Sequence, residues 1–244
     1  SFTPSEFDLT PYLGAGENKL AAMVFRFSAG SWYEDQDFFR FSGIFREVFL
    51  YTVPRLHVRD LKLTDRLMED FSEAGLSVDL KLQGSCPGGR IELLLTDGKS
   101  EVTGEIDLDE PASVHTDGAN QPTSDSDATG CEIPEELICG VQLTLQNPML
   151  WSAEDPHLYR LQIRLLDSAG QVLELVEESV GFRRFECVDG IMCLNGKRIV
   201  FKGVNRHEFT SDKGRAISEE DILNDLLIMK RNNINAVRTS HYPN

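Results

Sequence analysis

The chain has 244 residues, 41% of them hydrophobic and 26% charged, long enough to bury one large core or two smaller ones and ordinary in composition for a soluble globular protein. Its 40 acidic and 24 basic side chains give a formal net charge of -16, so the basic footprint that a phosphate backbone requires is missing and nucleic acid is excluded as a partner. No apolar run approaches the ~20 residues that span a bilayer, which argues against an integral membrane protein.

Residues 1–6 have neither the basic start nor the apolar segment of a secretory signal. The five cysteines, Cys86, Cys131, Cys139, Cys187 and Cys193, are odd in number and scattered. Reduced thiols in a cytoplasmic protein are the expectation. Along the first segment, GAGEN (residues 14–18) is a turn, residues 20–27 read as a strand, and residues 43–53 read as another strand closed by Pro54. Two or three strands cannot cover both faces of a sheet, so residues 1–54 read as the end of a larger β domain.

Between residues 55 and 183 the period is 2. Leu76, Val78, Leu80 and Leu82 alternate with Ser77, Asp79 and Lys81; Val141, Leu143 and Leu145 alternate with Gln142 and Thr144; Tyr159, Leu161, Ile163 and Leu165 alternate with Arg160, Gln162 and Arg164. Half-buried strands punctuated by turn signals such as Asp97-Gly98 predict an immunoglobulin-like β-sandwich. One polar stretch, residues 109–136, interrupts it. Asp125, Asp127, Thr129, Gly130 and Glu136 fall on calcium-loop positions there. However, Thr129 stands where Asp or Asn is usual, Pro134 lies inside, and no helical period flanks the segment, so a solvated loop is expected.

Beyond residue 183 the pattern changes. Residues 190–204 carry a hairpin signal with Asn195-Gly196 as its turn. Ser218 is an N-cap with Glu219, Glu220 and Asp221 in the first turn; Ile222, Leu226 and Met229 keep helical spacing, and Lys230 and Arg231 close the last turn. A short apolar run at residues 234–237 completes a strand–helix–strand unit of a parallel sheet. The first strand, placed at about residues 198–204, runs into Asn205-Arg206-His207-Glu208, and the second runs into Arg238-Thr239-Ser240-His241. Parallel strands put both polar clusters on one rim, the edge where (β/α)8 barrels build their sites. Three readings are open for His207 and His241: metal ligands with Glu208, satisfied structural histidines, or hydrogen-bonding groups for a polar ligand such as a sugar. A lone β/α unit cannot bury both faces of its strands, so residues 197–244 are expected to be poorly packed by themselves.

Four segments, EDQDFFRFSGIFREVFLY, NPMLWSAEDPHLYRLQI, FKGVNRHEF and MKRNNINAVRTSHYPN, occur in an order that resembles glycoside hydrolase family 2, in particular its large bacterial β-galactosidase branch. The resemblance runs from Pro4 to Asn244, although between about residues 64 and 139 only the strand pattern matches. β-Glucuronide-specific members share the SHYPN-like segment, whereas NRHE and EDQDFF lean towards the galactosidase side. The resemblance implies a mainly β chain. Residues 1–54 would end a jelly-roll sugar-binding-like domain, 55–183 would form the whole immunoglobulin-like sandwich, and 184–244 would open a (β/α)8 catalytic barrel. It further implies that His207 and His241 bind galactose hydroxyls and that Arg238 neighbours the nucleophile. Asp37 would reach the 6-hydroxyl and help to hold sodium. Magnesium and both catalytic glutamates would lie on segments beyond Asn244. The implied activity is retaining hydrolysis of terminal β-D-galactosides by an intact homo-oligomer, with this chain inactive alone. The competing expectations are a non-catalytic sandwich scaffold or carbohydrate-binding module, and a family 2 hydrolase of β-glucuronidase-like specificity.

Overall fold

The computed structural model describes residues 5–33, 43–109 and 136–240. They divide between two compact units, Tyr51–Ile199 and a second made of Ser1–Leu50 with Val200–Asn244.

The larger unit is the sandwich. Strands β1 (His57–Leu67), β2 (Glu73–Gln83) and β5 (Glu136–Gln146) form an antiparallel sheet in the order β1-β2-β5. The second sheet has the order β4-β3-β6-β7, built from β3 (Arg90–Thr96), β4 (Glu101–Asp107), β6 (Tyr159–Leu166) and β7 (Val172–Val180). Three strands against four, with crossed connections, is an immunoglobulin-like arrangement. β2 buries every second residue, Ala74, Leu76, Val78, Leu80 and Leu82, as the alternation demands. Ile91, Leu93, Leu95, Leu161, Ile163 and Leu165 come from the other sheet into the same apolar cluster.

Two aromatic side chains close that core. Tyr159 and Phe182 meet edge to face with ring centroids 5.4 Å apart, and the Tyr159 hydroxyl accepts a hydrogen bond from the Met149 backbone N–H at 2.9 Å. Burial pushes the Tyr159 phenol above its ordinary pKa. Gly84 has a φ of +98° and sits where a Cβ would lie 1.8 Å from the Arg55 carbonyl oxygen, so only glycine fits there.

A small sheet follows, β8 (Phe185–Val188), β9 (Ile191–Leu194) and β10 (Lys197–Arg198), and it belongs to the compact unit of the sandwich. Asn195 and Gly196, at φ 51° and 73°, make the expected two-residue hairpin between β9 and β10. Asn195 also ties the hairpin to the sandwich exit: its Oδ1 accepts from the Arg184 N–H, and its Nδ2 donates to the Trp151 carbonyl. Among the described residues Cys86, Cys139, Cys187 and Cys193 are free thiols, and burial raises the pKa of Cys139 to about 11. The calcium-loop positions Asp125, Asp127, Thr129 and Gly130 lie outside the described residues, and Glu136 opens β5.

The smaller unit departs from expectation at its start. Neither residues 20–27 nor residues 43–53 form a strand, and the described part of 5–56 holds only a 3-10 turn (Thr10–Tyr12) and the short helix α1 (Ala29–Tyr33). The apolar side chains of both runs are exposed, as with Phe25, Phe27, Val48 and Phe49. A strand exists only as one side of a ladder, and among the described residues neither run belongs to a sheet. No helix among the described residues is long and apolar enough to cross a membrane.

Candidate functional site

The site is built on β11 (Gly203–His207), α2 (Glu219–Arg231) and β12 (Ala236–Ser240). The strands pair in parallel, with Asn205 beside Arg238, Arg206 beside Thr239 and His207 beside Ser240. Both begin later than the apolar runs suggested. The polar residues expected after the strands are in them, because backbone pairing continues where apolar side chains stop.

Asparagine chemistry sets this register. Asn232 turns its side chain onto the Ile228 carbonyl at the end of α2, and Asn233 takes the left-handed conformation at φ 56°. Asn235 then bridges the strands: Oδ1 accepts from the Lys202 N–H at 2.8 Å and Nδ2 donates to the Val200 carbonyl at 3.0 Å. The NNIN run therefore ends the helix and aligns the next strand.

The helix starts at a capping box. The Asp221 carboxylate accepts from the Ser218 backbone N–H at 2.8 Å and from Lys213 Nζ at 2.9 Å. Those bonds, the backbone one foremost, pull the Asp221 pKa from 3.8 down to about 2. A folded-state pKa below the unfolded one means that the box stabilises above the unfolded value and loses its contribution as pH falls through the folded value. The first turn of α2 is expected to loosen between pH 3.8 and about 2. An NMR titration of the Asp221 carboxyl carbon checks this. A midpoint near 4 would remove the capping bonds from the account.

Alternation along the strands sorts their side chains onto two faces. Arg206, only 9% exposed, reaches α2, where its Nε donates to Asp225 Oδ2 at 2.9 Å, so its face is the helix face. Asn205 and His207, with their register partners Arg238 and Ser240, therefore lie on the face away from the helix. An open hollow of about 430 Å³ beside the two strands is lined by Phe201, Gly203, Val204 and Asn205 and by Ala236, Val237 and Arg238. At the end of β12, Ser240 Oγ is buried without a hydrogen-bond partner among the described residues.

His207 and Arg238 are thus brought to neighbouring strands on one face. Asp37 and His241 lie outside the described residues. No residue of α2 is buried, and Leu223, Leu226 and Ile228 are exposed together with Val237 on β12, the loose packing expected of a lone β/α unit. Among the described residues no three His, Cys, Asp or Glu side chains gather as a metal site, and the reading of His207, His241 and Glu208 as metal ligands includes His241, which lies outside them.

Glu208 has a different environment. Its Oε2 accepts from Arg46 Nη2 at 2.8 Å and its Oε1 from Arg206 Nη1 at 3.5 Å. Arg46 also donates to the Arg215 carbonyl, and the Arg215 guanidinium packs on the Phe45 ring at 5.0 Å. Burial first, then the nearby Arg46, lowers the Arg215 pKa, against the opposing pull of Glu208. In the sequence Arg46 is marked only as a guanidinium within an apolar run.

An immunoglobulin-like sandwich followed by a parallel strand–helix–strand unit, with polar strand ends on the face away from the helix, defines the class: a multidomain, mainly β protein that opens into a parallel β/α unit. The family is then fixed by sequence. Residues 56–183 match the profile of glycosyl hydrolases family 2, residues 1–54 its sugar binding domain and residues 185–244 its TIM barrel domain, and the chain belongs to this family. Over its whole length it is 48% identical to a β-galactosidase of Halalkalibacterium halodurans and 47% identical to one of Clostridium acetobutylicum, covering 22% and 24% of those proteins. A β-galactosidase of Streptococcus thermophilus is also 48% identical over all of the chain and 21% of its own length. The chain therefore spans less than a quarter of these relatives.

Among solved structures it resembles a β-glucuronidase of Parabacteroides merdae, with a TM-score of 0.61 at 22% identity over 78% of this chain and 21% of that one. A β-glucuronidase of Ruminococcus gnavus in complex with a C6-substituted uronic isofagomine gives 0.57 at 21% identity, over 78% and 27%. At that identity the likeness is one of fold.

Proposed function

We propose that this chain is part of a retaining β-galactosidase that hydrolyses terminal non-reducing β-D-galactose residues of β-D-galactosides such as lactose. The observation that carries the proposal is the register of β11 on β12, with His207 at the C-terminal end of β11 and Arg238 on the same face of the neighbouring parallel strand. The sugar comes from relatives named β-galactosidases that match the chain from end to end.

In this reading His207 and His241 exchange hydrogen bonds with galactose hydroxyls and fix the ring. Arg238 supplies a positive charge beside the nucleophilic carboxylate and favours its ionised form. Asp37 reaches the 6-hydroxyl from the first domain. Retaining hydrolysis needs two carboxyl groups ~5–5.5 Å apart, one as nucleophile and one as acid/base. Glu208 is assigned neither role: both its oxygens are engaged by arginines, and one carboxylate is not a pair. Both catalytic carboxylates are assigned to later barrel strands, so the 244-residue chain by itself is expected to turn over no galactoside.

Sodium held partly by Asp37 and magnesium near the catalytic pair belong to the same proposal, as do a homo-oligomeric enzyme and a cytoplasmic location. Asp37 lies outside the described residues, and no metal cluster occurs among them, so no step is derived through either ion.

The test compares rates of the longer protein on a β-galactoside and a β-glucuronide bearing the same leaving group. Preference for the galactoside is expected, by a factor of about 10² or more, because a site matched to one substrate's hydrogen-bonding groups rejects an analogue that leaves them unpaired. Preference for the glucuronide would overturn the assignment and favour the specificity of the structural neighbours. Hydrolysis by the 244-residue chain alone, surviving His207→Ala, would overturn the placement of the catalytic pair.

A further inference from the structure

We propose that Arg46 is a positioning residue for the strand-end site: it grips Glu208, and through Glu208 it fixes the turn that follows His207. The inference rests on the β-galactosidase reading for its catalytic consequence, though not for its geometry.

Four charged side chains form one line. Arg46 Nη2 meets Glu208 Oε2 at 2.8 Å, Arg206 Nη1 meets Glu208 Oε1 at 3.5 Å, and Arg206 Nε meets Asp225 Oδ2 on α2 at 2.9 Å. The line joins residues 162 positions apart in sequence, from the end of the first segment to the rim. Its inner members are half-buried or better, the Glu208 side chain 17% exposed and that of Arg206 9%, while Arg46 at 35% and Asp225 at 45% form its more open ends. Partly buried charge-assisted hydrogen bonds hold geometry firmly, and removing one partner leaves the other charge undercompensated.

The contacts of Arg46 are divided in a way that suits a clamp. One terminal nitrogen holds the Glu208 carboxylate, and the other donates to the backbone carbonyl of Arg215, in the loop between β11 and α2. The Phe45 ring lies under both guanidinium groups, Arg215 at 5.0 Å and Arg46 at 5.2 Å. Residues 45 and 46 thus hold both sides of the turn that leaves β11. His207 is the last residue of that strand, and its carbonyl accepts from the Phe209 N–H at 3.1 Å, so Glu208 sits inside the turn that begins at His207. With Arg46 gone, Glu208 keeps the longer bond to Arg206, a neighbour two residues back, and the charge of Arg215 nearby, but loses its 2.8 Å partner from the first segment.

A lysine cannot substitute fully. The carboxylate and the carbonyl are held by different nitrogens of one planar fork, whereas an ammonium is a single point charge on a flexible stem. A displacement of about 1 Å at a substrate-positioning group can lower a rate ~10²-fold, so a small shift of His207 would be visible in kinetics.

The experiment makes Arg46→Gln, Arg46→Lys, Glu208→Gln and the double variant Arg46→Gln/Glu208→Gln in the longer protein. It measures kcat and KM on a β-galactoside, the melting temperature, and hydrogen exchange of the backbone over residues 205–210. Arg46→Gln is expected to lower kcat/KM by about 10- to 100-fold and to speed exchange over 205–210, with little change in melting temperature. The double variant should be no worse than the poorer single one, and Arg46→Lys should recover part of the loss. Losses that multiply in the double variant, or an active Arg46→Gln with unchanged kinetics and exchange, would overturn the inference and leave the β-galactosidase reading intact. If the unsubstituted protein hydrolyses no β-galactoside, that reading falls, and exchange still decides on Arg46: unchanged exchange over 205–210 refutes the clamp. Should Arg46→Gln not fold, Arg46→Lys carries both measurements.

Discussion

Replacing His207 by alanine in the longer protein is expected to lower kcat/KM on a β-galactoside by about 10²-fold or more while the protein stays folded. Loss of one preorganised hydrogen-bonding group at a reacting centre costs ~10²–10³ in rate, and His207 ends β11 on the face away from α2, where a ring held against both strands would reach it. Stability should hardly change, because the His207 side chain is exposed and no part of the sandwich core. The same substitution at His57, which is on β1 in the sandwich and turns its Nδ1 to the Pro54 carbonyl, should leave turnover unaltered. A His207→Ala enzyme with wild-type kcat/KM would remove the strand-end cluster from the site, and only the fold would then remain of the reading.

Parts of this arrangement were legible in the sequence and parts were not, for physical reasons. The sandwich could be read because its central strands β2, β3 and β6 alternate between buried and more open side chains. In β2, Ser77, Asp79 and Lys81 alternate with side chains no more than 1% exposed, and alternation needs no knowledge of the partner strand. The hairpin at Asn195-Gly196 could be read because two adjacent positive φ angles leave few residue choices. The N-cap of α2 at Ser218 could be read because a cap and its acidic first turn are local, whereas the reciprocal bond from Asp221 that makes it a capping box came from the structure.

What failed was whatever depends on partners far along the chain. Residues 20–27 and 43–53 have strand composition, but composition does not supply a ladder, and their apolar side chains lie open. The ends of β11 and β12 were placed too early because their last residues, Arg206-His207 and Arg238-Thr239-Ser240, are polar. Rim strands carry function where others carry core, so the apolar signal stops before the ladder does. The engagement of Glu208 by Arg46 had no local signal at all: the partners are 162 residues apart, and charge pairing has no period.

The largest stability effect is expected within the sandwich at Phe182. Phe182 is wholly buried just beyond β7 and packs edge to face on Tyr159; its carbonyl accepts from the Trp151 N–H at 2.9 Å. The residues that follow are pinned outside the core, Arg183 over Trp151 at 4.7 Å and Arg184 over Phe71 at 4.3 Å. With its neighbours so tethered, the backbone at this point cannot easily collapse into a void. Phe182→Ala should therefore cost toward the full ~3–5 kcal/mol of a buried aromatic truncation, and lower the melting temperature by on the order of 10 °C. Tyr159→Phe should cost only about 1 kcal/mol, because the ring stays and what is lost is the acceptor for the Met149 N–H. Leu175→Ala on β7, where the leucine is 51% exposed, sets the scale for a substitution outside the core and should stay within about 0.5 kcal/mol. Denaturant unfolding of the three variants orders them. If Phe182→Ala cost no more than Leu175→Ala, the Tyr159–Phe182 pair would not be part of what holds the two sheets together, and the core would have to be carried by the alternating leucines of β2, β3 and β6 alone.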